Sequence, residues 1–204
     1  MDRHRSRGPR GVGNVLTAMP SDDIPLYERD RAAWHRYLAE GNARQARKRV
    51  GADVLIRDER GRVLLVDPSY KPDWDLPGGM AEANEAPHRA AERELREELG
   101  LHVRLRTMLV VDWVAAHGPW DDSLMFIFDG GVLGREQIAR LRILDEEIND
   151  FRFWTPEQAA DLLRPYVWAR LEQALAAVTD GRPRYLQTTR DQTASPPTGP
   201  DIRH

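Results

Sequence analysis

Three features predict an α/β fold. Segments rich in β-branched and apolar residues at 52–57 and 62–66 read as strands. Residues 87–99, rich in Ala, Glu, Leu and Arg, read as a helix with Pro87 in the first turn and Gly100 at the stop. Beyond it, strand-like segments at 103–114, 123–133 and 150–154 lead into helical segments at 156–163 and 166–178.

Taken in chain order, residues 1–23 are rich in Arg, Gly and Pro, bury little, and are expected to lack fixed structure. Residues 24–50 form a lead-in segment. Leu26, Trp34, Tyr37 and Leu38 lie among charges at helical spacing, and Gly41 is expected to stop that helix. The main domain is expected over 51–180. Its first two strands are joined by a hairpin turn, Asp58-Glu59-Arg60-Gly61. Residues 68–77 read as a loop, and Gly78-Gly79 as a further break. A loop at 115–122 contains Gly118-Pro119, and residues 181–204 read as a loose tail.

The 204 residues suffice for one core with extensions. The absence of cysteine removes disulfides, thiolate metal sites and cysteine nucleophiles. With 30 basic and 33 acidic residues, the net charge of -3 gives no reason to expect a nucleic-acid partner. No apolar run approaches the roughly 20 residues that cross a bilayer, and no secretory signal is read. A soluble, cytoplasmic protein without a membrane partner is expected.

The chemistry concentrates in residues 74–101, WDLPGGMAEANEAPHRAAERELREELGL. Spacings of three and four place Glu94, Glu97 and Glu98 on one helix face. Alone, like charges so placed cost about 0.2–0.5 kcal/mol per pair and raise each other's pKa. A hard divalent cation reverses both penalties, because Mg²⁺ prefers oxygen ligands and retains water and substrate phosphate. Ala91, Leu95 and Leu99 form an adjacent apolar stripe that can seat the helix on a sheet. Arg93 can pair with Glu97 or with an acid of the preceding loop, where Glu85 is the natural partner. Gly79, lacking a side chain, would let its carbonyl approach a metal closely.

Gly79, Glu85, Arg93-Glu94-Leu95, Glu97-Glu98 and Gly100-Leu101, at these spacings, resemble the full box of the Nudix hydrolase family. The resemblance implies an α/β/α sandwich with a mixed β-sheet, the box forming a loop-helix-loop. It also implies hydrolysis of a nucleoside diphosphate linked to another moiety, X, with Mg²⁺ or Mn²⁺. By resemblance, Glu97, Glu98 and the Gly79 carbonyl would be metal ligands. Glu94 would be a ligand or the general base, Arg93 would orient Glu94, and Glu85 would hold Arg93. Asn84 stands where the family often has Gly, and Asn tolerates the left-handed backbone such a loop needs.

Some branches of the family take the base from a later loop. Asp145, Glu146 and Glu147 could supply it here, with Glu146 or Glu147 as an additional ligand, and Asp121 and Asp122 are further acids. Trp113, Trp120 and Tyr70 could stack on a substrate base, as could Phe126. Trp74 is expected to pack the box loop, and His88, His102 and His117 to be surface or packing residues. Arg57, Lys71 and Arg104 are candidate phosphate contacts, although all but two of the basic residues are arginine. Pro119 falls near a position that marks ADP-ribose and dinucleoside polyphosphate branches, and the missing cysteine counts against an isopentenyl-diphosphate isomerase. Two other readings stay open: a hydrolase of prenyl or other non-nucleotide diphosphates, and a non-catalytic ligand sensor. The lead-in helix is the expected contact of a homodimer.

Overall fold

The computed structural model describes residues 24–193, so the expectation for 1–23 lies outside the described residues. Residues 24–47 form one unit. It contains a short helix α1, Leu26–Arg29, and a longer α2, Arg31–Arg44. The Asp30 carboxylate caps α2 by accepting from the Ala33 amide at 2.9 Å. The Trp34 ring stacks on Tyr37 at 5.5 Å, and neither helix buries a residue. Gly41 does not stop the helix. Nothing crowds it, and one glycine inside a helix costs about 1 kcal/mol, too little to break the turn.

The second unit, from Lys48 onward, is built on a mixed seven-stranded sheet. Its strands are β1 Arg49–Asp58, β2 Val63–Pro68, β3 Gly78–Met80, β4 Met108–Val114, β5 Ser123–Leu133, β6 Ile148–Trp154 and β7 Arg184–Thr188. The order is β6-β2-β1-β5-β4-β7, with β3 also paired to β1. Strand β1 runs parallel to β5 and antiparallel to both β2 and β3, as β4 runs antiparallel to β5 and parallel to β7. On β1, β3 pairs with Gly51–Asp53 and β2 with Arg57, so the two split apart midway along the strand.

Alternation along β1 sorts its side chains between two cores. Ala52, Val54 and Ile56 join Ala91, Leu95 and Leu99 of helix α3, Pro87–Leu99. Leu55 faces the other way, with Ala159 of α5, Pro156–Leu162, and Val167, Leu171 and Ala174 of α6, Pro165–Asp180. The sheet therefore lies between α3 on one face and α5 and α6 on the other, the expected α/β/α sandwich. Short helices α4, Arg135–Ile138, and α7, Arg190–Thr193, complete the unit. In the hairpin turn, the buried Asp58 carboxylate accepts from the Arg60 and Arg62 amides, both at 2.9 Å. Among the described residues no helix is long and apolar enough to cross a membrane.

Four further sequence expectations need correction. Gly78-Gly79 does not break the chain but forms β3. A Cβ on Gly78 would lie 2.4 Å from the Ala52 carbonyl oxygen, so the close pairing requires glycine. The strand expected from Val103 starts only at Met108, opposite Phe128; Arg106 and Thr107 still exchange backbone bonds with Asp129, and the β1–β5 register then skips Gly130. Val50, placed in the lead-in segment, belongs to β1. The loose tail expected from Gly181 contains β7, Arg184–Thr188, which pairs in parallel with β4. Residues 194–204 lie outside the described residues.

Candidate active site

Helix α3 starts at Pro87 and ends at Gly100, whose φ of 63° suits a left-handed cap. Burial of Ala91, Leu95 and Leu99 fixes its rotation, which turns Arg93, Glu94 and Glu97 away from the core. The preceding loop passes through Asn84 at φ 63°, the left-handed conformation expected there. That loop delivers Glu85 to Arg93 as a two-point clamp. Arg93 Nε donates to one Glu85 oxygen at 3.1 Å and Nη2 to the other at 3.0 Å. Arg93 Nη2 also donates to the Met80 carbonyl at 3.1 Å, and Nη1 to Glu94 at 2.9 Å and Glu97 at 3.0 Å. Its hydrogen bond from Arg93 holds the Glu85 carboxyl below its ordinary pKa, and Glu85 in turn raises that of Arg93.

Glu94 reaches back over Gly79. A Cβ on that glycine would sit 2.5 Å from Glu94 Oε1, so the missing side chain is what lets the carboxylate close onto β3. Burial raises the Glu94 pKa against the pull of Arg93. Glu98 is buried, and its one hydrogen bond among the described residues comes from the Gly78 amide at 3.4 Å. Burial, and then the Glu94 charge, push its pKa up to about 8. Glu97 is half exposed, with Arg93 on one oxygen and Arg96 3.7 Å from the other.

A cavity of about 470 Å³ opens beside this helix, where β2 and β3 separate. Gly79, Glu98 and Glu147 line it, whereas Glu146 does not. Trp120 and Tyr70 also line it, both largely exposed, and the Arg49 guanidinium stacks 4.5 Å from the Trp120 ring centre. Trp113 does not line it. Its indole N–H donates to Asp122 at 3.0 Å, and Asp122 pairs with Lys48, which anchors the β4–β5 loop. Phe126 packs against the α3-side core, stacked on Phe128. Trp74 packs edge-on to Trp154 at 5.5 Å against the core on the α5 and α6 side. Arg57 pairs with Asp129 at 3.0 Å, away from the cavity, while Lys71 lines the cavity paired with Asp75. His117 lines the cavity as well, with Nδ1 2.9 Å from the Ala115 carbonyl.

Sequence reasoning passed over Asp53, Asp75, Arg164 and Arg170, all on the cavity wall. The available signal was a charge inside an apolar segment: Asp53 in Val50–Ile56 and Arg170 within α6. Burial, then Asp75, raise Asp53 to about 7 against the opposing charge of Arg170.

Among the described residues no group of three acidic or histidine side chains meets as a ready cation cage. The donors nonetheless fit a hard divalent cation. Glu94 and Glu98 are two carboxylates held close enough to repel, and Glu98 lies within ion-pair distance of no cation among the described residues. The Gly79 backbone lies beside Glu94.

A family model described as NUDIX domain matches residues 47–178. An ADP-ribose pyrophosphatase of Mycobacterium tuberculosis is 35% identical over 149 residues, 66% of this chain and 70% of that protein. A putative 8-oxo-dGTP diphosphatase of Bacillus subtilis is 33% identical over 89 residues, 44% of this chain, and the match spans only 57% of that relative's length. The solved MutT protein of Methanosarcina mazei superposes with a TM-score of 0.56 at 21% identity, covering 67% of this chain and all of that one. The extent of the family match, and the box geometry inside it, place this chain in the NUDIX domain family.

Proposed function

We propose that the protein is a metal-dependent hydrolase that cleaves the diphosphate linkage of a nucleoside diphosphate derivative by attack of water on phosphorus. One observation carries the reading. The Glu85–Arg93–Glu94 clamp holds a carboxylate over Gly79 while Glu98 stands buried at the wall of the cavity. Glu98, Glu97 and the Gly79 carbonyl would hold a divalent cation, Mg²⁺ or Mn²⁺, with Glu94 kept as the base and Glu147 as the later acid on the wall that Glu98 and Gly79 share. When bound, such a cation supplies charge neutralisation for the diphosphate oxygens and acidifies water. The residues of the chain do the rest. Glu94, desolvated and oriented by Arg93, takes the proton of the attacking water as the new P–O bond forms and the bridging P–O bond breaks. Charged groups on the cavity wall, Lys71, Asp75 and Arg164 among them, favour a polar moiety X over a hydrocarbon chain. The relatives named for ADP-ribose and 8-oxo-dGTP support a nucleotide substrate.

The test is a panel of ADP-ribose, 8-oxo-dGTP, UDP-glucose and isopentenyl diphosphate with Mg²⁺, with Mn²⁺ and with EDTA. The expected outcome is hydrolysis of a nucleotide member to a nucleoside monophosphate and a second phosphorylated product, abolished by EDTA. Turnover of no member with either metal would sink the proposal.

A further inference from the structure

Asp53 is a buried carboxyl with almost nothing to bind. It is 7% exposed, and its side chain accepts no hydrogen bond from the described residues. The one ion contact is Arg170 Nη1 at 3.6 Å, too long for a hydrogen bond. Arg170 cannot close that gap freely, because its Nε is committed to Asp112 at 3.1 Å. Asp112 is itself fixed by the Thr188 amide at 3.1 Å and the Thr188 hydroxyl at 2.8 Å. Buried carboxyls are almost always hydrogen-bonded, so an open one facing a cavity has acceptor capacity in reserve. Its place on the cavity wall is specific. The Asp53 backbone pairs with Gly78, which offers no side chain, next to Gly79 of the box. Lys71 and Asp75 on the same wall satisfy each other.

We propose that Asp53 is a specificity-determining residue that accepts hydrogen bonds from neutral O–H or N–H donors on the moiety X, held rigid from behind by the Arg170–Asp112–Thr188 relay. The proposal rests on the diphosphatase reading above and names the part of the substrate that reading leaves open. A phosphate at this point would be repelled by Asp53, and a hydrocarbon would leave the carboxyl without a donor. A sugar hydroxyl or an exocyclic amine meets both conditions. A site built around such a donor rejects the analogue that lacks it far more strongly than an apolar pocket rejects an extra methylene.

The experiment compares the wild-type chain with Asp53→Asn on the nucleotide of the panel that the wild type hydrolyses best. Two analogues of that nucleotide follow, one lacking a sugar hydroxyl and one lacking the base amine. The expected result is a KM about tenfold higher in the variant, roughly 1.4 kcal/mol of binding, with kcat within about twofold. Inhibition by inorganic pyrophosphate and the Mg²⁺ half-saturation should shift much less than KM, because Asp53 reaches Glu98 only through its charge. The analogue that the wild type binds poorly, but the variant no longer distinguishes, identifies the donor as hydroxyl or amine. If Asp53→Asn fails to fold, Asp53→Ser is read in the same way. A fall in kcat at constant KM, a Mg²⁺ half-saturation shifted as much as KM or equal weakening of every ligand would overturn the proposal. If the wild type hydrolyses isopentenyl diphosphate alone, the diphosphatase reading survives and the assignment of Asp53 falls. If it hydrolyses no diphosphate, that reading fails first and takes the assignment with it.

Discussion

Helices α3 and α6 cover opposite faces of the sheet, and each carries one charged side chain into an otherwise apolar stripe. On α3 it is Glu98, among Ala91, Leu95 and Leu99. On α6 it is Arg170, among Val167, Leu171 and Ala174. Arg170 meets two carboxylates within 3.6 Å, and the nearer, Asp112, has two further donors from Thr188. Glu98 has one long hydrogen bond and carboxylate neighbours. A buried charge whose partners are all supplied by the chain is part of the framework. One whose partners are missing is poised for something the chain does not contain. Both cost desolvation, but only the second keeps binding capacity for a cation.

The largest effect should come from the compensated side. Arg170→Met keeps the stem volume and removes the guanidinium, which leaves Asp112, at 0% exposure, without its cation. Removing one partner of a buried pair costs about 3–5 kcal/mol. Urea denaturation should show that loss, and a change below about 1 kcal/mol would break the contrast between the two helices.

Glu98→Gln should do the reverse. Hydrolysis with Mg²⁺ should fall at least about 100-fold, since even outer-shell partners of a metal cost 10–100-fold, while the metal-free protein loses no stability. The pH dependence gives the sign. The folded carboxyl titrates near 8, and the unfolded one near about 4.3. Between those values the folded state holds a proton that the unfolded state has released, so this group lowers stability progressively as pH rises from about 5 to about 8. In EDTA, the melting temperature of Glu98→Gln should gain on wild type across that window. A constant difference would show that Glu98 is already compensated.

The same contrast explains what could be read from sequence. The α3 site is local. Its clamp joins residues 80–97, with Arg93 reaching Glu94 beside it and Glu97 one turn on, while Glu98 turns into the buried stripe. Strands β1, β2 and β5 were legible because their apolar residues are contiguous. The α6 site is non-local, joining residues 53, 112, 170 and 188 from four elements, and no spacing rule links an aspartate in one strand to an arginine in a later helix. Strand β3 was hidden because Gly-Gly signals a break unless the close neighbour is known. Trp113 and Trp120 were indistinguishable by type, and only the loop geometry turns one to Asp122 and the other to the cavity.

Strand β7 is where that reading fails most instructively, and Thr188 gives the finest test. Residues 184–188, RYLQT, alternate exposed and covered positions at the sheet edge, with only Thr188 buried. Its hydroxyl donates to Asp112 at 2.8 Å, and its amide donates to the other oxygen. Thr188→Val keeps the shape and the amide bond but removes the hydroxyl. Asp112 then holds Arg170 with one donor fewer, at a cost of about 1–2 kcal/mol. The variant should unfold at correspondingly lower urea with no change in slope, because the surface exposed is unaltered. Loss of the same size in an Arg170→Met background would mean that the hydroxyl acts independently of the guanidinium. A loss that differs there would place Thr188, Asp112 and Arg170 in one network. No loss in either background would return residues 181–193 to the loose tail that their sequence suggests.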